Sequence, residues 1–284
     1  MDVVKTIEAV RKAVAAARAA GKTVGLVPTM GNLHEGHLRL LDAARAECGF
    51  VAVSIFVNPT QFGPKEDFGA YPRTPAEDFD ACRRRGADLV FHPEVAEMYP
   101  PGARTEVRVK GLDEVLCGAS RPGHFTGVAT VVAKLLNIFQ PDAAFFGAKD
   151  FQQTVVIRRM VKDLDLSVRI VVCPTVREAD GLAMSSRNAY LSPSERKQAP
   201  ALYASLCRAE EMIRRGGAKA GEVAAAARAV LAERAPEGKV DYVKIVDPAS
   251  LADVEEASPP VLVALAVKFG RARLIDNVLV ERTG

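Results

Sequence analysis

Tryptophan is absent from this 284-residue chain, and aromatic residues of all kinds make up only 6%. A stacking platform for single-stranded nucleic acid, which needs aromatic faces among basic residues, is therefore not expected. A large excess of one charge is missing too. Lys and Arg number 38 against 35 Asp and Glu, leaving +3. That balance speaks against a dedicated nucleic-acid or membrane-surface binder, although it allows a local basic pocket. No apolar run approaches the ~20 residues of a membrane-spanning helix. The opening Met-Asp-Val-Val-Lys-Thr lacks the basic-then-apolar order of a secretory leader. The five cysteines (Cys48, Cys82, Cys117, Cys173 and Cys207) are odd in number, far apart and without a C-x-x-C pair. A disulfide framework or a cysteine zinc site is not expected, and a reducing, cytoplasmic setting is.

What is present is core material. Hydrophobic residues make up 49% and charged residues 26%, the balance of a globular protein, and the length suits about two domains. Residues 6–20 are Ala-rich with helical periodicity and stop at Gly21. Residues 23–28 read as a short buried strand, and a helix starts near His34. The run 50–57 is almost continuously apolar, the mark of a parallel strand covered on both faces. A Pro- and Gly-rich loop from Asn58 to about Pro75 leads to a helix (76–85) and a strand (87–91). The alternation continues with a helix (127–139), a strand (142–147), a helix (150–164) and a strand (167–173). This predicts an α/β fold with a doubly wound, Rossmann-like parallel sheet over residues 1–176, its ligand edge at the strand C-termini. Beyond that point two Ala-rich helical stretches (194–215 and 219–234) precede three strand candidates at 240–247, 260–269 and 272–280. Residues 177–284 are read as a smaller α+β domain with an antiparallel sheet.

Chemistry-bearing residues gather where strands end. In P-T-M-G-N-L-H-E-G-H (28–37), two of the four histidines, His34 and His37, stand three apart at a strand-to-helix turn. On a helix they share a face. They lie at its positive end, where unpaired N–H groups favour phosphate. A single histidine there reads as readily as a helix cap. A metal site on the pair with Glu35 is a third reading, without an evident third ligand. Asn58 and Gln61 follow the buried strand 50–57, and their amides suit a hydroxy acid; taken alone, an Asn-Pro turn with a surface Gln is the favoured reading. Arg121 and His124 flank a Pro-Gly turn, and an Arg there can hold a carboxylate by two parallel bonds. In F-G-A-K-D-F-Q-Q (146–153), Asp150 stands at a helix start and Lys149 supplies a compact positive charge. In A-M-S-S-R-N (183–188), two hydroxyls precede Arg187, three donors for a triphosphate or a plain Ser-rich hinge.

The flanks of these motifs are long and specific. PTMGNLHEGHLRLL, VSIFVNPTQFGPKEDFGAYPRT, RPGHFTGVATVVAKLLNIFQPDAAFFGAKDFQQ and EADGLAMSSRNAYLS occur in that order. Together they resemble the pantothenate synthetase family, in the wider group of H-x-G-H nucleotidyltransferases. The resemblance implies ATP-dependent condensation of pantoate with β-alanine through a pantoyl adenylate, with Mg²⁺ held mainly by ATP phosphates, in a homodimer. It implies an ATP site of Met30, Gly31, His34, His37, Gly147, Lys149, Asp150, Val176, Met184, Ser185, Ser186 and Arg187. The catalytic members would be His37, His34, Lys149 and Arg187. Asn58, Gln61, Tyr71, Arg121, His124 and Gln153 would surround pantoate and β-alanine. Two readings compete: another adenylyl or cytidylyl transferase of the same fold, and a non-catalytic nucleotide-binding protein.

Overall fold

A computed structural model describes residues 1–64, 66 and 68–282. Its first part runs β1 (Asp2–Val4), α1 (Ile7–Ala19), β2 (Val24–Thr29), α2 (Glu35–Glu47), β3 (Phe50–Ile55), α3 (Pro75–Arg84), β4 (Leu89–Phe91), α4 (Val95–Met98), α5 (Cys117–Ser120), α6 (His124–Phe139), β5 (Ala143–Gly147), α7 (Phe151–Asp163) and β6 (Arg169–Cys173). There follow α8 (Pro193–Gln198), α9 (Ala201–Arg215), α10 (Ala220–Arg234), β7 (Lys239–Val246), β8 (Val261–Phe269) and β9 (Ala272–Val280). Single 3₁₀ turns lie at Pro59–Gln61, Ala148–Asp150 and Ser186–Tyr190. Among the described residues no helix is long and apolar enough to cross a membrane.

The chain divides into two compact units. The first holds residues 1–113, 121–148 and 156–174. The second holds 114–120, 149–155 and the chain from Thr175 onward.

In the first unit six parallel strands pair in the order β1-β4-β3-β2-β5-β6. The apolar runs of β2 and β3 arise because both faces of the sheet are covered: every residue of β3 is buried. Val27, Val51, Val53 and Phe145 pack with Leu40, Leu41 and Ala44 of α2. Helix α1 forms because Val10, Val14 and Ala17 fall on one stripe, and Thr6 caps it by accepting the Ala9 N–H at 3.3 Å. From β2 the sheet grows one way through β3 and β4, and from β5 the other way to β6. The winding therefore reverses between β2 and β5, and in such sheets ligands bind outside the strand ends at that point.

The second unit carries a three-stranded antiparallel sheet, β7-β8-β9. Helices α9 and α10 cover it with Leu202, Leu206, Ile213, Val223 and Leu231, packed on Val243, Ile245, Val263, Leu265 and Val267.

Three local differences from the sequence reading have simple causes. Strand β1 is three residues long, too short to show a period, and exists because β4 offers it a parallel edge. The helical stretch 194–215 is two helices, because Pro200 lacks the N–H a continuous helix needs. Helix α6 begins at His124 rather than at 127, after Gly123 turns the chain at φ +82°.

Gly127 in α6 permits a close backbone crossing. A Cβ there would lie 2.4 Å from the Thr60 carbonyl oxygen and 2.6 Å from the Gln61 nitrogen. Neither neighbour is a flexible side-chain end, so Gly127→Ala must displace the 59–61 turn. We expect it to lower stability by about 1–3 kcal/mol, read by chemical denaturation.

Candidate active site

The segment between β2 and α2 is held from three sides. Thr29 donates its hydroxyl to the Ser54 carbonyl at 2.9 Å and accepts the Gly31 N–H at 3.3 Å. Gly31 has φ +83°, and a Cβ there would stand 3.0 Å from the Asp78 carboxylate. That carboxylate, 3% exposed on the inner face of α3, accepts the N–H groups of Asn32 at 2.9 Å and Leu33 at 2.7 Å. A buried charge needs such partners, and these two fix the approach to α2.

His34 is the N-cap of α2, and its Nδ1 accepts the Gly36 N–H at 3.1 Å. The Nδ1 of His37 accepts the His34 N–H at 3.3 Å. This is a capping box made of two imidazoles, their ring centres 4.1 Å apart. Because each Nδ1 accepts, the hydrogen-bond pattern assigns each ring proton to Nε2. A histidine that binds a metal through one nitrogen carries its proton on the other, so ligation through Nε2 is incompatible with this arrangement. Glu35 is also committed, to Arg85 at 2.8 and 2.9 Å. The metal reading of this segment is set aside on those grounds.

Gln61 lies beside this segment, its Nε2 3.0 Å from the Met30 sulfur. Asn58 is 1% exposed and fully committed within the protein. Its Nδ2 donates to Gln61 Oε1 and to the Gly127 carbonyl, both at 3.1 Å. Its Oδ1 accepts from the Thr60 hydroxyl and from the Tyr99 hydroxyl, both at 2.9 Å. Asn58 therefore sets the orientation of the Gln61 amide. Tyr71 is buried, with its ring edge-on to Phe62 at 5.9 Å.

Arg121 holds a carboxylate by two parallel bonds, as its sequence context suggests, but the carboxylate belongs to Glu66 of the Asn58–Thr74 loop. The distances are 2.6 and 2.7 Å. Arg121 also donates to the Gln61 carbonyl at 3.3 Å and to His124 Nε2 at 2.9 Å. His124 Nδ1 in turn donates to the Gln61 carbonyl at 2.8 Å. Burial raises the Glu66 carboxyl, but the bonds and charge of Arg121, the Gly63 N–H and His124 outweigh it and hold the group at about 2.

The remaining sequence-selected residues, apart from Gly147 at the end of β5, belong to the second unit. Lys149 is half-buried in the Ala148–Asp150 turn, and its carbonyl accepts from Asn277 Nδ2 at 2.8 Å. Asp150 is exposed and sits in that turn rather than capping α7, which starts at Phe151. Gln153 is half-buried in α7. Val176 accepts the Met184 N–H at 3.0 Å, closing a hairpin over 176–184. At its exit Ser185 caps the next turn by accepting the Arg187 N–H at 3.2 Å, with Ser186 between them.

Asp78, Tyr99 and the adjacent pair Asp276–Asn277 lie outside the motifs, and Glu66 lies within the 53–74 stretch but carries no signal of its own there. Asp78 had a visible signal, an acid on the buried stripe of an amphipathic helix. Asp276–Asn277 had one too, two neighbouring polar residues amid the apolar residues of a strand. Arg177 donates to Asp276 at 2.6 and 3.0 Å. Burial pushes the Asp276 carboxyl upward, opposed by the bonds and charge of Arg177, the Asn277 N–H and the Lys149 charge.

The Glu66–Arg121 bond carries a pH signature. A carboxyl lowered by folding contributes stability that is complete above its ordinary pKa near 4.5 and is lost as pH falls through about 2. We expect Glu66→Gln to cost about 2–3 kcal/mol at neutral pH. In paired denaturation series, the difference from the parent protein should shrink steadily as pH falls from 5 toward 2.

Comparison with known proteins identifies the family. The Pantoate-beta-alanine ligase family profile matches residues 2–279. A pantothenate synthetase of Acetivibrio thermocellus is 52% identical, over 99% of this chain and 100% of its own length. The crystal structure of pantothenate synthetase from Thermus thermophilus superposes with a TM-score of 0.94 at 47% identity, covering 99% of this chain and 100% of that one. A pantoate-beta-alanine ligase of Francisella tularensis, solved in complex with beta-gamma ATP and beta-alanine, superposes at 0.80 with 33% identity over 100% and 99% of the two chains. The chain belongs to the pantoate–β-alanine ligase family, whose members are ATP-dependent ligases.

Proposed function

We propose that this chain joins pantoate to β-alanine in two steps, through pantoyl adenylate, releasing pyrophosphate and then AMP. The observation that carries the reading is the imidazole capping box at the head of α2, beside the sheet's reversal point. A carboxylate is a poor acyl donor, because its leaving group would be oxide. Attack of a pantoate carboxylate oxygen on the α-phosphorus of ATP forms the P–O bond of an acyl phosphate and breaks the bond to pyrophosphate. The β-alanine amine then attacks the activated carbonyl, sheds a proton, and expels AMP.

The protein's task is alignment of two anions and neutralisation of the charge that develops at phosphorus. In this reading the Nε2–H groups of His34 and His37 donate to phosphate oxygens, with His37 serving the transition state. Lys149, Ser185, Ser186 and Arg187 receive the β- and γ-phosphates, and Met30, Gly31, Gly147, Val176 and Met184 line the nucleotide. Gln61 and Gln153 orient pantoate. Asn58, Arg121 and His124 act on substrate through Gln61, whose side chain or carbonyl each of them engages. Tyr71 stands at the β-alanine end.

Among the described residues no three His, Cys, Asp or Glu side chains gather as a metal site. The donors offered to phosphate in this reading are imidazole N–H groups, cations and hydroxyls. That set fits Mg²⁺ arriving with ATP and held by phosphate oxygens and water, with Asp150 as the protein oxygen donor beside Lys149. When bound, the ion offsets phosphate charge. By the same family likeness we infer a homodimer in the cytoplasm; sedimentation at a monomer mass would overturn the dimer.

The Gln153 amide and the neutral partners of the Gln61 side chain, Asn58 and Met30, favour a hydroxy acid over a phosphorylated acceptor, which would need more cations. A substrate panel with labelled ATP separates these classes. Removing one strong charge-stabilising donor typically costs about 10²–10³ in turnover. His37→Ala is expected to lose at least that much while remaining folded by circular dichroism, and near-normal turnover would count against the assignment. Pantoate and ATP without β-alanine are expected to support exchange of labelled pyrophosphate into ATP. If exchange requires β-alanine, the order of steps proposed here is wrong.

A further inference from the structure

Strand β9 contains a feature that substrate contact does not explain. Successive strand residues point to opposite faces, yet Asp276 and Asn277 are both buried, at 2% and 9% exposure. Placing an acid and an amide in an apolar strand is costly unless each is satisfied. Here each is spent on a segment far away in the chain. Asp276 accepts from both terminal nitrogens of Arg177, 99 residues away, and turns back to accept the Asn277 N–H at 2.8 Å. Arg177 is fixed further by the Gly181 carbonyl at 3.1 Å and by the Tyr203 ring at 3.9 Å. It thereby locks the 176–184 hairpin that delivers Ser185, Ser186 and Arg187. Asn277 reaches the carbonyl of Lys149, 128 residues away.

We propose that Asn277 and Asp276 are positioning residues for adenylate formation, setting the spacing between the Lys149 ammonium and the 185–187 donors without touching substrate. The inference rests on the reading of those groups as phosphate ligands. Lys149 lies in a single 3₁₀ turn, and its ammonium ends a flexible four-carbon stem. Only the backbone beneath that stem can be fixed without neutralising the charge, and a carbonyl is the atom there that can accept a bond. One strand that grips both segments transmits no slack between them, whereas two independent anchors would.

The test compares full-length Asn277→Ala, Asn277→Ser and Lys149→Ala with the parent protein. The readouts are pantoate-dependent ATP–pyrophosphate exchange, the reaction of supplied pantoyl adenylate with β-alanine, and thermal melting. A misplacement near 1 Å typically costs about 10²-fold in rate. Asn277→Ala is expected to lower kcat for exchange roughly 10- to 100-fold, with aminolysis of supplied adenylate within about twofold of the parent. Asn277→Ser, which keeps a short donor, recovers part of the loss. If Asn277→Ala does not fold, the near-isosteric Asn277→Asp removes the donor and gives the same reading. Exchange at parental kcat in a folded Asn277 variant, or equal losses in both half-reactions, overturns the positioning role. Parental exchange in Lys149→Ala overturns the phosphate reading beneath it, and the inference with it.

Discussion

The reciprocal bonds between two imidazoles and the first turn of α2 are the interaction on which the account depends. Helix N-termini present N–H groups without intrahelical partners, and a capping side chain ordinarily supplies an oxygen. Here nitrogen does so. His34 Nδ1 takes the Gly36 N–H and His37 Nδ1 takes the His34 N–H. Helix formation and tautomer selection become one event. While the helix is capped this way, both rings carry N–H at the opposite edge, a neutral donor pair at the positive end of a dipole. The turn needs Gly31 at positive φ, and it needs Asp78 beneath it to take two backbone donors.

Charge in the two units is divided between scaffold and site. Several guanidinium groups face carboxylates of the chain itself: Arg121 with Glu66, Arg85 with Glu35, and Arg177 with Asp276. An enzyme that must bring two anions together gains from this, because a cation paired bidentately is withdrawn from non-productive capture of substrate. In the proposed reading, stabilisation of phosphate then falls to Arg187 and to groups of smaller reach, imidazole N–H, hydroxyl and a single ammonium. The same logic explains why Asn58 is buried and saturated: an amide with no spare bonds fixes its neighbour Gln61 more firmly than one that exchanges with water.

Much of this could be read from the residues. Buried apolar runs announced the parallel sheet, and clusters of polar residues at strand ends pointed to the edge proposed to take ligand. The switch to Ala-rich helices followed by strands announced the antiparallel sheet. What stayed hidden was whatever depends on pairing across the chain. Arg121 reads as a carboxylate holder from sequence, but only the fold shows that Glu66 fills it. Lys149 and Asp150 read as part of the segment that follows β5, yet Lys149–Val155 groups with the second unit. No local period records that a strand residue near the C-terminus will close on a carbonyl 128 positions earlier. The glycine at 127 carries the same lesson, because its need is set by the Thr60 backbone, and nothing near it in the chain reveals that.

The most direct test is nitrogen-15 NMR of histidine-labelled protein at mildly alkaline pH, where long-range couplings distinguish the two ring nitrogens. The four histidines supply their own control, since His92 and His124 each turn Nδ1 toward a backbone carbonyl and so must carry the proton there. The account predicts two and two: His34 and His37 protonated on Nε2, His92 and His124 on Nδ1. An Nδ1–H tautomer at His34 or His37 would contradict it, because the capping box could not then exist and the donor edge proposed for phosphate would be lost.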